Sequence, residues 1–280
     1  MRPVAARARW LWGLAGLAVA ASLAVPGGWL ITSAGVDRSA WPPLTVTRVV
    51  TVPRPVTTVD VQSLGAPVRV TAGPVDRVRI TERINYDPQD GPPPAVPRSV
   101  SHGILTLTEP ACVCRVGFTV TIPAGVGVAA DTAGGPLTVS GAAAANLDSG
   151  GGPVRATGIS GPLVVTTDSG ALTLSGLTGP LQADTGGGAL LAQGIGSATA
   201  TITTGGGAAR IGFTKAPDGL FVSTAGGLAA LTLPAGPYAL TARSYGGPEA
   251  VGIATDPAAA RSITVTTGGG PLRIERSSRH

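Results

Sequence analysis

From about residue 130 to the C-terminus, apolar and polar residues alternate in short runs, and Gly-rich clusters separate the runs. Leu163 and Val165 precede one cluster, and Leu172 and Leu174 follow it. Apolar residues two positions apart point to the same face of a β-strand. Each run therefore predicts a strand with one buried face, and each cluster predicts a tight corner in which glycine adopts a positive φ.

Eight such corners recur at a nearly constant spacing. We mark each by the last glycine of its cluster, the corner glycine, and successive corner glycines lie 17 to 23 residues apart. A repeat of this length indicates a solenoid in which every repeat adds one coil. The chain is therefore predicted to be all-β, a single-stranded parallel β-helix or β-solenoid of about eight coils over residues 129–280. The corner glycines are Gly135, Gly152, Gly170, Gly188, Gly207, Gly227, Gly247 and Gly270.

A serine or threonine stands three residues before every corner glycine. The alternation points this side chain inward. A buried column of hydroxyls can hydrogen-bond along the solenoid axis or to the corner backbone, whose polar groups would otherwise lack partners. We call this column the hydroxyl ladder. Its members are Thr132, Ser149, Thr167, Thr185, Thr204, Thr224, Ser244 and Thr267.

The two flanks of the repeat predict its caps. Residues 56–128 alternate in the same way, with Val59 and Val61 followed by Val68 and Val70, and predict N-terminal strands and a cap. Near the other end, Glu249 falls on a position predicted to be buried. We therefore expect residues 238–256 to form a distorted coil that begins to cap the stack, because an uncapped solenoid would expose unpaired strand edges.

An uncharged segment near the N-terminus predicts membrane attachment. Residues 10–31 are mostly apolar, and about 20 apolar residues span a bilayer as a helix. Arginines in residues 1–9 favour a cytoplasmic N-terminus. We predict a single-pass signal-anchor helix at 10–31, a Pro-rich stalk at 32–55, and an extracellular C-terminal domain at the cell membrane. A signal peptide cleaved near the small residues 32–35 is the alternative, and it also exports the domain.

The two cysteines, Cys112 and Cys114, are separated by one residue. An exported domain would meet an oxidising compartment. On a regular strand their Cα atoms would lie about 7 Å apart, which is the limit for a disulfide, so a bridge needs a local kink that Pro110 could supply. Two reduced thiols, or a metal site that includes His102, are the alternatives.

Three aspartates offer the candidate chemistry. Asp131, Asp148 and Asp184 each stand four residues before a corner glycine and are expected to form a row on the outer face. Such a row could bind calcium or cleave a glycan. The chain lacks the calcium-binding glycine repeat, and no His or Lys stands beside the row to complete a catalytic site. We interpret the row as solvated, and we predict no cofactor, no metal and no enzymatic activity.

Charge and composition narrow the choice of partners. The net charge is +5, and aromatic residues make up 4% of the chain. Arg2, Arg7 and Arg9 precede the apolar segment, and the later arginines are scattered singly. Because the sequence shows neither a basic stripe nor interleaved aromatics, we expect no nucleic-acid partner.

Several runs carry a resemblance to a known family. They are Val59-Asp-Val-Gln-Ser, Val68-Arg-Val, Val78-Arg-Ile-Thr and Phe118-Thr-Val-Thr-Ile-Pro-Ala-Gly-Val, followed by the repeated Thr-x-x-Gly corners. Over about residues 55–276 the chain resembles the bacterial putative-adhesin domain of unknown function. The resemblance implies a β-helical, membrane-tethered surface domain, and it carries no catalytic residue over to this chain.

These observations lead to one functional hypothesis and two alternatives. The hypothesis is a non-enzymatic cell-surface module, an adhesin or an envelope structural protein, that presents a β face to a glycan or protein partner. The first alternative is a membrane-tethered accessory protein of an envelope-stress regulatory system. The second is a carbohydrate-active β-helix enzyme.

The charge asymmetry around residues 10–31 generates a topological prediction. Protease added to intact, wall-stripped cells should digest the C-terminal domain, as followed by immunoblotting. Complete protection would contradict the predicted topology. Release of a soluble form that begins near Val36 would instead indicate cleavage of a signal peptide.

Overall fold

Residues 43–277, the part of the chain that the structure describes, form 23 β-strands and one short 3₁₀ helix in a computed structural model. Within these residues no helix is long and apolar enough to cross a bilayer. The predicted cytoplasmic segment 1–9, the predicted anchor 10–31 and the first residues of the predicted stalk lie outside the described residues.

The N-terminal half contains β1 (Leu44–Thr51), β2 (Thr58–Ser63), β3 (Val68–Ala72), β4 (Arg79–Tyr86), the 3₁₀ helix (Pro88–Asp90), β5 (Arg98–Ser101), β6 (Ile104–Thr108), β7 (Cys114–Ile122), β8 (Gly127–Thr132), β9 (Leu137–Ser140), β10 (Ala145–Ser149) and β11 (Val154–Thr157). The C-terminal half contains β12 (Leu163–Thr167), β13 (Leu172–Ser175), β14 (Leu181–Thr185), β15 (Leu190–Ile195), β16 (Thr199–Thr204), β17 (Ala209–Phe213), β18 (Gly219–Thr224), β19 (Ala229–Leu233), β20 (Ala239–Ser244), β21 (Glu249–Gly252), β22 (Ser262–Thr267) and β23 (Leu272–Arg276).

The strands build two long sheets. Sheet A has the order β1-β4-β7-β3-β9-β11-β13-β15-β17-β19-β23-β21, and sheet B has the order β20-β22-β18-β16-β14-β12-β10-β8-β2-β6-β5. Except at the N-terminal end, every pairing is parallel and joins strands of neighbouring coils. One strand of sheet B and the following strand of sheet A form one coil. The all-β prediction, with parallel strands stacked as in a solenoid, is confirmed.

The stack is longer than predicted because the N-terminal flank joins it. All eight predicted corners lie between a strand of sheet B and a strand of sheet A, and the pairs β2–β3 and β6–β7 add two more coils. Strand β8 crosses the position 128/129 at which we had divided cap from solenoid. Residues on both sides of that position share one hydrophobic core.

The coils do not stack in chain order at either end. The coil β2–β3 lies between β6–β7 and β8–β9. The coil β22–β23 lies between β18–β19 and β20–β21, so the penultimate coil of the chain forms the end of the stack. The interior explains this order, because Ile263, Val265 and Ile274 are fully buried, whereas Glu249 of β21 is exposed.

At the N-terminal end, antiparallel strands close the stack. Strand β4 pairs with β7, strand β1 pairs with β4, and β5 pairs with β6. Across this end, the buried carboxylate of Glu82 in sheet A receives a hydrogen bond of 2.9 Å from Arg98 in sheet B. Burial raises the pKa of Glu82, and the charges of Arg98 and Arg48 oppose that rise.

Part of the predicted stalk at 32–55 is a strand of the stack, β1, and the prediction of a spacer is wrong there. Residues 44–51 were assigned to a Pro-rich spacer at 32–55, but they pair with β4 over eight residues, from Leu44 with Tyr86 to Thr51 with Arg79. The prolines at 42, 43, 53 and 55 lie on either side of a Pro-free run that alternates Thr and Val. The prolines therefore delimit a strand, as expected for residues that cannot donate a ladder hydrogen bond.

Glycine is necessary at the eight corners because the backbone of the neighbouring coil lies too close for a side chain, and not because φ is positive there. The prediction of positive φ there is wrong, since none of the corner glycines lies in the left-handed region. A Cβ built on Gly207 would lie less than 3.0 Å from the carbonyl oxygen of Gly188 in the neighbouring coil, and the other corner glycines face the coil beside them in the same way. A side chain at these positions would separate the coils.

A second glycine series does carry positive φ. Gly141, Gly158, Gly176 and Gly194 have φ of 72°, 64°, 62° and 65°. Each stands six residues after a corner glycine. The first three directly follow a strand of sheet A, and Gly194 lies near the end of β15, at its register shift. L-residues rarely adopt this conformation, so glycine is favoured. This series was overlooked in the sequence, although its spacing repeats that of the corners.

The corner geometry generates a matched prediction. Gly207→Ala should lower the free energy of unfolding by more than about 2 kcal/mol, because the new methyl group meets immovable backbone. Gly206→Ala, one residue earlier, should stay within about 1 kcal/mol of the wild type, because a Cβ there has nothing within 4 Å and φ is not positive. Chemical denaturation of the two variants tests this. Equal effects would contradict the close-stacking account.

Candidate functional site

The structure places the hydroxyl ladder inside the corners. Thr167, Thr185 and Thr204 are direct register partners in β12, β14 and β16, and all three are fully buried. The other members continue the column, and only Ser244 in the end coil is partly exposed. Apart from Ser244, the ladder is therefore an interior feature that is shielded from external ligands.

The ladder hydroxyls bond to the corner backbone. The hydroxyl of Thr185 donates to the carbonyl oxygen of Gly188 at 2.8 Å, and that of Thr204 donates to Gly207 at 2.8 Å. At Thr167 the direction is reversed, and the amide of Gly170 donates to the hydroxyl at 3.0 Å. Of the two arrangements that the sequence left open, the structure adopts the bond to the corner backbone.

Two residues that we did not select from the sequence extend the ladder. Ser63 pairs in register with Thr132, and its corner ends in Ala66 in place of glycine. Beyond it, Glu109 is buried and accepts hydrogen bonds from the Ser63 hydroxyl at 2.8 Å and from the Leu64 amide at 2.6 Å. The apolar pair Leu105 and Leu107 precedes Glu109 at the ladder spacing, and this was the available signal.

The cysteines form a disulfide. Cys112 and Cys114 are bonded to each other, with their Cα atoms 5.1 Å apart. The separation is shorter than on a regular strand because residues 111–113 form a bend between β6 and β7. His102 stands in the tight turn between β5 and β6. Within residues 43–277, no cluster of three His, Cys, Asp or Glu residues could hold a metal ion.

The predicted carboxylate row lies on the outer face of sheet B. Asp131 and Asp148 are direct register partners, and Thr166 separates Asp148 from Asp184. On β2 the register partner of Asp131 is Gln62, and Asp60 stands two residues earlier, in the neighbouring outward column. Burial raises the pKa of Asp60, a hydrogen bond from Gln62 lowers it, and the charge of Asp131 raises it. The three predicted carboxylates, Asp131, Asp148 and Asp184, project in the same direction from one sheet, so they do not face each other.

The outer face of sheet A carries the opposite charge. Register aligns four residues of this face, each on a different strand, into one column. These residues are Arg69, Arg155, Arg210 and Arg273. Sequence analysis found only scattered arginines, since their alignment depends on strand pairings between residues 17 to 69 positions apart in the chain. The two faces of the stack therefore differ in sign.

An apolar cleft opens at the N-terminal end of the stack. Residues 50–54 and 98–100 line it, and its volume is about 180 Å³. Ligand pockets usually measure about 300–1,000 Å³, so this cleft is small for a ligand site. A groove of about 510 Å³ beside the disulfide, lined in part by Tyr86 and Val113, reaches that range but is shallow and open to solvent. The extended outer faces are therefore considered as binding surfaces beside it.

The chain was compared with known proteins. No family model and no curated protein matches it. A putative adhesin from Parabacteroides distasonis ATCC 8503 is 11% identical with a TM-score of 0.48, and the match covers 82% of this chain and 97% of that one. A putative adhesin from Bacteroides fragilis NCTC 9343 is 15% identical with a TM-score of 0.41, and the match covers 84% and 97%. A putative lipid binding protein from Parabacteroides distasonis ATCC 8503 is 11% identical with a TM-score of 0.41 and the same coverage.

The ladder generates a prediction with a control on the adjacent residue. Thr167→Val keeps the shape of the side chain but leaves the buried amide of Gly170 without its acceptor, so the free energy of unfolding should fall by about 1–3 kcal/mol. Thr166→Val changes an exposed hydroxyl on the outer face and should stay within about 0.5 kcal/mol of the wild type. Thermal melting of both variants decides. If Thr166→Val destabilises the protein as strongly, the ladder account is wrong.

Proposed function

We propose that the chain is a non-enzymatic module of the bacterial cell surface that presents a flat β face to a glycan or protein partner. The segment at 10–31 would anchor it as a single-pass signal-anchor helix, with the C-terminal domain outside the cell. The observation that carries the proposal is the regular exposure of mostly polar side chains on both outer faces, in register from coil to coil.

The flat faces favour an extended ligand over a small one. In sheet B, Thr166, Asp184 and Thr203 are successive partners in one outward column. Neighbouring strands lie about 4.8 Å apart, so equivalent groups repeat at that distance along the stack. A polymer with repeated polar groups can contact many coils at once, whereas a small molecule would contact two or three.

The arrangement of the aspartates also bears on the enzymatic alternative. Asp131 and Asp148 stand on adjacent strands, at a backbone spacing near the roughly 5 Å that separates the carboxyl groups of retaining glycosidases. Both project from the same face of one sheet, however, and glycoside hydrolysis needs an acid and a nucleophile on opposite sides of the bond that breaks. We therefore favour binding without cleavage.

One experiment separates binding from catalysis. The full-length protein, purified in mild detergent, should co-sediment with isolated cell-envelope material and should release no reducing ends from it. The variant that combines Asp131→Asn, Asp148→Asn and Asp184→Asn should keep the wild-type fold. Failure to co-sediment with any envelope fraction would refute the binding role. Reducing ends that the wild type releases and the triple variant does not would establish an enzyme instead.

A further inference from the structure

We propose that the outer face of sheet A binds a polysaccharide that carries repeated anionic groups. This inference rests on the proposed function and names the class of partner. The face, which we call the arginine face, carries seven outward and exposed arginines. They are Arg69, Arg79, Arg83, Arg115, Arg155, Arg210 and Arg273.

Register organises these arginines into a linear array. Arg69, Arg155, Arg210 and Arg273 stand in one column that runs over eight consecutive strands, from β3 to β23. At about 4.8 Å per strand, the column is roughly 34 Å long, with gaps of about 10 to 14 Å between its charges. The other three arginines continue the positive surface on β4 and β7.

Little within the protein neutralises these charges. Among the described residues, Arg273 is the only member of the arginine face in an ion pair, and its partner is Glu275. The outward aspartates Asp60, Asp131, Asp148 and Asp184 project from the other sheet. A guanidinium binds carboxylate, sulfate or phosphate through two parallel hydrogen bonds, so this face is suited to anionic groups on a partner.

The side chains beside the arginine column favour a glycan as the partner. The column beside the arginines contains Thr71, Ser140, Thr157 and Ser175 in direct register, and hydroxyls both donate and accept hydrogen bonds, as sugar hydroxyls do. The outward positions of the strands that carry the arginine column include no aromatic residue on which a base could stack, and proteins that bind single-stranded nucleic acids use such residues. Leu191 is an isolated apolar side chain in the column, so insertion into lipid is not favoured either.

The test uses the full-length protein in mild detergent and two double variants that remove the same charge. Arg155→Gln with Arg210→Gln alters the arginine face. Arg243→Gln with Lys215→Gln alters an exposed residue of sheet B and one of a connecting loop. Binding to polygalacturonate and to a phosphate-linked wall polymer is measured by affinity electrophoresis, with neutral dextran, duplex DNA and anionic phospholipid vesicles as competitors.

We expect the first double variant to bind at least one anionic glycan about tenfold or more weakly, a change of about 1.4 kcal/mol, and the second to stay within about twofold of the wild type. Higher salt should weaken wild-type binding. Equal losses in both variants, or stronger competition by DNA or vesicles than by the glycans, would overturn the inference. Undiminished envelope binding by the first variant would also overturn it while leaving the proposed function intact.

Discussion

The contact of one corner glycine with the next is the constraint on which the stack depends. The carbonyl oxygen of Gly188 occupies the space that a side chain on Gly207 would need, and the same oxygen accepts the hydroxyl of Thr185. One atom therefore links the spacing of the coils to the hydrogen bonding of the corner. Because the glycine corner is repeated in eight of the ten coils, it also fixes the register of the strands on both sides of it.

Identical corners allow any coil to stack on any other, so a second feature must determine the order at the ends. The interior side chains supply it. The coil with Ile263 and Leu272 is buried on both sides, whereas the coil with Glu249 ends the stack. The Glu249 carboxylate accepts a hydrogen bond from the amide of Ser244. An inward-facing charge on a terminal strand hinders addition of another strand, which protects the open end from edge-to-edge aggregation.

The sequence was sufficient for features that repeat locally. Alternation and spacing identified the eight corners and the residues of the ladder. The signal is local, because each ladder residue stands three positions before its corner glycine and the alternating strand residues stand next to both. The order of the coils was not predictable in this way, since β19 and β23 pair although about 40 residues separate them. Strand β1 was missed because its flanking prolines suggested a spacer. Glycine at the corners was attributed to a positive φ, whereas the close approach of the neighbouring coil is what requires it.

The arginine face is a second feature that depends on strand pairing and could not be predicted from the sequence. No segment around Arg69, Arg155 or Arg210 is basic by itself, and each arginine sits among small, apolar or uncharged residues. The column arises only because the corner fixes the register, and the alternation that turns Val70 and Ala156 inward turns these arginines outward. The interior is filled by the core and the ladder, so the side chains of the outer faces, and not those of the interior, are available to a partner. Selection on those faces can change charge column by column without disturbing the glycines and hydroxyls that hold the coils together.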